Sequence, residues 1–172
     1  MKKLLIATLV MGMITLAGIH QAQAIVSPII FGTTSFAGSG MGGSWTADVY
    51  WEAFAPFDDP LYGLGSISDF AYYYTVTNTS PLGGASLSQF SVGVGTAPIS
   101  DQGFLASSGI RPTNWENSAG SSKFYWFTAP FGYGLIPPGS SSKMLYLTSP
   151  WVPGMVSGGL IDGSGTDTEP VG

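Results

Sequence analysis

Residues 45–54 read Trp45-Thr46-Ala47-Asp48-Val49-Tyr50-Trp51-Glu52-Ala53-Phe54. One parity is apolar (Trp45, Ala47, Val49, Trp51, Ala53), while the other carries Asp48 and Glu52, the period-two signature of a half-buried β-strand. Residues 69–77 repeat the alternation with bulk on both faces: Phe70, Tyr72, Tyr74 and Val76 on one, Ala71, Tyr73, Thr75 and Thr77 on the other. That pattern suits a central strand. The run from Asn78 to Gly84, with Pro81 and paired glycine, stops it. Outward from these two strands, residues 87–94, 122–128 and 144–148 alternate in the same way, the last following the turn Pro137-Pro138-Gly139-Ser140. Weaker strand patterns lie at 29–36 and 155–161, and the glycines of 38–43 read as a hairpin or loop. No segment after the N-terminal apolar run sustains helical i, i+3, i+4 spacing. The expected fold is all-β, an antiparallel sandwich of Ig-like or jelly-roll-like kind.

The N-terminus reads differently. Lys2 and Lys3 precede an apolar run of 16 residues (Leu4–Ile19), and Ala22-Gln23-Ala24 follows. A basic start, an apolar middle and Ala-x-Ala mark a cleavable export signal ending after Ala24; the run is short of the roughly 18–20 residues of a transmembrane helix. The expected division is 1–24 signal, 25–160 sandwich and 161–172 a flexible Gly/Asp/Thr-rich end. A mature chain from residue 25 has no membrane span and loses the only histidine, His20; cysteine is absent throughout. Its basic residues are Arg111, Lys123 and Lys143 against ten acids. Three scattered cations cannot neutralise a run of phosphates, which excludes nucleic acid and disfavours anionic membrane surfaces as partners.

With no imidazole base, nucleophilic catalysis has few routes. Ser140-Ser141-Ser142-Lys143 matches S-x-x-K in letters, but a turn entering a strand explains it. Glu52, Asp69, Asp101 and Glu116 are the nominal acids for glycoside hydrolysis, which needs a carboxylate pair across a cleft; solvated surface positions are the competing account. Asp162 and Asp167, in a run that alternates oxygen side chains with glycine, offer a candidate calcium loop against a flexible acidic linker. No other cofactor is expected. Trp115 and Trp151, in polar or proline-bounded loops, are candidate sugar-stacking platforms, with core or rim packing as the alternative. Asn78-Thr79-Ser80 is a glycosylation sequon that reads equally as a turn.

The stretch Asp69–Ser80 resembles the Y-x-Y-x-V-x-N-T-S strand of exported bacterial proteins of the PEP-CTERM, exosortase-sorted type. Leu87–Val94 is similar to the strand that follows it there, Gly134–Ser142 to the Pro-Gly-Ser turn before a late strand, and Ser149–Gly154 to the S-P-x-x-P-G step after it. The resemblance covers residues 45–160, the body of such proteins. Their sorting tail (Pro-Glu-Pro, an apolar span and a basic end) is not present in this chain, which stops at Glu169-Pro170-Val171-Gly172. The resemblance implies a secreted or cell-surface, non-enzymatic protein of the envelope or extracellular matrix, associated with exopolysaccharide, and carries over no catalytic residue. The alternative is a carbohydrate-binding module using its exposed tryptophans. Intact-mass measurement of the exported protein should find a chain beginning at Ile25; a retained N-terminus would refute the signal.

Overall fold

The computed structural model describes residues 27–40, 42–58, 68–118, 120–126, 134–154 and 156–162. The export signal with its cleavage point at Ala24, the candidate ligand Asp167 and the end of the 122–128 strand lie outside these residues. Within them the chain forms β1 (Ile30–Gly40), β2 (Gly43–Phe54), β3 (Phe70–Asn78), β4 (Leu87–Gly95), β5 (Asp101–Phe104), β6 (Asn114–Ser118), β7 (Gly120–Tyr125), β8 (Leu145–Ser149) and β9 (Gly158–Asp162). All named pairings are antiparallel. They build a first sheet ordered β1-β2-β3-β8-β5 and a second ordered β6-β7-β4-β9. The chain changes sheet at most of its connections, a jelly-roll-like alternation that closes the two sheets into the expected β-sandwich. Among the described residues no helix is long and apolar enough to cross a membrane.

The alternation sets the layers. Register places Val49 opposite Val76, Trp51 opposite Tyr74 and Ala53 opposite Tyr72, so one parity of β2 and β3 faces the second sheet. Phe90 and Val92 of β4, Phe124 of β7 and the adjoining Trp126 meet it there, all buried. Burial of these aromatic and aliphatic side chains dominates the folding energy, at about 1.5–3 kcal/mol for each aliphatic or phenyl side chain. Trp126 is fully enclosed, and its indole N–H donates to the carbonyl of Ile110. Ser122 crosses the interior to donate to Gln102 Oε1 at 2.7 Å, a polar tie between β7 and β5. The other parity of β3 bears bulk too. Tyr73 packs edge-on against Phe54 on the outer face, where Leu105, Met144 and Tyr146 shelter the pair.

Glycine in β1 has a steric role. Gly38 lies opposite Trp45 and Gly32 opposite Trp51. A Cβ would stand 2.5 Å from Trp45 Cζ2 at Gly38, and 2.7 Å from Trp51 Cζ2 at Gly32. Each indole therefore lies across the bare backbone of its partner strand and replaces the packing that glycine lacks. This is why the weak 29–36 pattern extends into an 11-residue strand that stays paired with β2 as far as Gly40 opposite Gly43.

Two strands went unread in the sequence. β5 and β6 are short and polar, and every residue of β6 is exposed. Register against β8 and β7 holds them in place of intrinsic propensity.

One end of the sandwich closes on a buried amide. Asn78, the last residue of β3, has no exposed surface. Its Nδ2 donates to the carbonyls of Ala85 and Ile136, both at 2.9 Å, and its Oδ1 accepts from the Ser80 N–H. Ala85 lies in the crossing from β3 to β4 and Ile136 in the approach to β8, and Leu87 and Ile136 exchange backbone hydrogen bonds. Asn78→Ala should strand the Ala85 carbonyl and the Ser80 N–H, remove one of the two hydrogen bonds to the Ile136 carbonyl, and cost about 2–4 kcal/mol. Denaturant unfolding checks this; a loss below about 1 kcal/mol would show that the amide is dispensable.

Candidate functional site

The two candidate tryptophans occupy different surroundings. Trp115 is not in a loop: it is the second residue of β6, opposite Phe124, and its ring stands edge-on to Phe104 of β5 at 5.6 Å. It is 39% exposed and plugs the lateral edge between the two sheets. The loop assignment failed because Asn114, Glu116 and Asn117 hide a five-residue edge strand. Trp151 does lie in a loop, after β8, and is 52% exposed. The loop is held by the Tyr72 hydroxyl, which donates to the Trp151 carbonyl at 2.6 Å, while the Trp151 N–H donates to Ser149 Oγ. Phe104 pairs with Leu145 at the start of β8, so Trp115 and Trp151 belong to opposite ends of that strand and make no common platform.

Beneath Trp151 the sheets part around an apolar cavity of about 550 Å³. Its first wall includes one cross-strand row, Ile30, Ala53, Tyr72 and Leu147, running from β1 to β8. Phe90, Val92 and Val94 of β4 form the facing wall, and residues 151–154 and 156–158 line the mouth. Thr34 Oγ1, on the wall, accepts from the Trp51 indole N–H at 3.2 Å. Desolvation pushes the Tyr72 hydroxyl up to about 12 and the Tyr74 hydroxyl further still. Tyr74 retains some accessible surface, and the cavity wall is where that surface lies. The sequence signal for the cavity was faint: tyrosines on the inward parity of β3 where aliphatic residues would pack more closely.

The candidate acids are dispersed. Glu52 accepts from Tyr50 OH on the outer face of the first sheet, and Asp101, on the same face of β5, accepts from Tyr146 OH at 3.2 Å. Glu116 lies on the outer face of the second sheet, taking the Tyr125 hydroxyl and a 4.0 Å contact with Lys123. Asp69 is buried at the entrance to β3, with Oδ2 lacking a hydrogen-bond partner among the described residues.

Ser141 and Ser142 are structural. Ser142 Oγ accepts from the Val76 N–H, and Ser141 Oγ shares a hydrogen bond with Thr77 Oγ1 at 2.9 Å. Asp162 ends β9, opposite Leu87, so ordered strand reaches two residues past Leu160. Among the described residues no three potential metal-ligating side chains cluster. Asn78, the sequon asparagine, has both amide hydrogens engaged inside the protein and is closed to glycosylation once folded. Comparison with known protein families, curated proteins and solved structures returned no match.

The tyrosines make stability pH-dependent on the alkaline side. Burial first, then the Glu116 hydrogen bond and charge, raises Tyr125 to about 12, and burial raises Tyr72 equally from an ordinary value of 10.0. Each hydroxyl holds its proton more tightly folded than unfolded, so its contribution is whole below pH 10 and is lost as pH climbs through 12. Thermal unfolding should be insensitive to tyrosine ionisation up to about pH 10 and decline steeply beyond it, with a shallower decline in Tyr72→Phe. An identical alkaline slope in that variant would contradict the role of the Tyr72 latch.

Proposed function

We propose that this chain is the body of an exported, non-enzymatic protein of PEP-CTERM type, acting at the bacterial cell surface or in the extracellular matrix through contact with polysaccharide or other envelope components. The observation that carries the non-catalytic half is the placement of Glu52 and Glu116. They project from the outer faces of opposite sheets, whose backbones alone stand about 10 Å apart. Glycosidase carboxylates face each other across roughly 5–9.5 Å. Asp101 offers no better partner, since three strand spacings of about 4.8 Å separate β5 from β2. The export half rests on the basic, apolar and Ala-x-Ala pattern of residues 1–24 and on the resemblance of residues 45–160.

A second reading, carbohydrate binding, is favoured by one feature. Trp151 is half exposed on a loop whose peptide is bonded on both sides, so its ring is presented without much freedom to lose. Incubation with a panel of bacterial exopolysaccharides should show co-sedimentation and no release of reducing ends. Turnover that survives rigorous purification would refute the non-enzymatic reading. A saturable change in tryptophan fluorescence with one glycan, abolished in Trp151→Ala, would establish the second reading over the first.

A further inference from the structure

The cavity under Trp151 has dimensions that select an occupant. Its wall reaches from Ile30 on β1, across β2, β3 and β8, to Ile99 just ahead of β5. Four strand spacings of about 4.8 Å make that span about 19 Å. A wall of that reach can lie alongside an extended hydrocarbon chain. The volume falls inside the roughly 300–1,000 Å³ range of small-molecule sites.

The chemistry of the walls agrees. Aliphatic and aromatic carbon dominates them, and Thr34 Oγ1 and the Tyr72 hydroxyl already serve Trp51 and the Trp151 carbonyl. The mouth is apolar on its outer side as well: Ile30, Trp151, Val152 and Val156 are all exposed around it. Exposed apolar residues gathered at one opening mark a route of entry rather than the scatter of an ordinary surface. Ten acids against three bases in the chain from residue 25 make an anionic head group unwelcome outside it.

We propose that this cavity binds a single aliphatic chain with an uncharged head, the chain lying between the sheets and the head in solvent beside Trp151. The site is independent of the polysaccharide reading and survives its failure.

Straight-chain primary alcohols, kept below their solubility limits, are the probe, with binding to the full exported protein followed by tryptophan fluorescence and calorimetry. Affinity should rise about fourfold per added methylene and then level off once the slot is full. Val94→Trp, which introduces an indole into the β4 wall, should move the plateau to shorter chains and weaken the longest by at least tenfold. Leu82→Ser, at a fully exposed turn, should change nothing. The chain-length series on the unaltered protein decides the matter if Val94→Trp fails to fold. Absence of saturable binding, affinity independent of chain length, or tighter binding of naphthalene than of every alcohol would each overturn the proposal.

Discussion

A single primary amide holds two of the crossings of this sandwich in place. Asn78 ends β3 and has no access to water, so each polar atom of its side chain must find a partner inside the protein. It finds them on the crossing from β3 to β4 and on the approach to β8. The facing strands can then stack with Val76, Leu87, Ile136 and Leu145 completely buried. A hydrophobic side chain of similar size at this position would fill the space but leave the Ala85 carbonyl and the Ser80 N–H desolvated without the partner Asn78 supplies. The constraint is therefore directional as well as apolar, and it fixes where the chain leaves one sheet for the other.

The opposite end is looser by design of the same sequence. There the inward parity of β3 is Tyr72 and Tyr74; Tyr74 packs on Phe90 of β4 with ring centres 5.5 Å apart, and both tyrosines line the cavity. Tyr72 uses its hydroxyl to fasten the Trp151 segment across the opening, so the residue that lines the cavity also holds its cover. One strand thus closes the core at Asn78 and lines the cavity four and six residues earlier, at Tyr74 and Tyr72.

Much of the architecture was legible because alternation survives wherever a strand is long and half-buried. β2, β3, β4, β7 and β8 all show it, and the two faces of β3 were read correctly as a central strand's. What escaped is instructive. β6 consists of Asn114, Trp115, Glu116, Asn117 and Ser118, residues with little strand preference, and only its pairing with β7 makes it a strand. Trp115 consequently looked like a loop tryptophan when it stops the gap between β5 and β6. Glu52, Asp101 and Glu116 were readable as outward-facing acids, whereas Asp69, expected at the surface, is buried at the entrance to β3; which face each acid occupies depends on sheet assignment, a long-range fact that no local pattern encodes. The cavity left only the faint signal of its tyrosines for a similar reason, since a void is a property of walls drawn from segments as far apart as Ile30 and Leu147.

The pairing of a bare backbone with an indole in β1 and β2 has an evolutionary corollary. Neither Gly32 nor Gly38 can acquire a side chain while Trp51 and Trp45 remain, and neither tryptophan can shrink without uncovering the strand beside it. Each couple is therefore a two-letter unit of inheritance, in which drift at one position is permitted only by a matching change at the other. Descendants of this sequence should carry glycine with tryptophan, or a larger residue with a smaller one, and the mixed states should be rare.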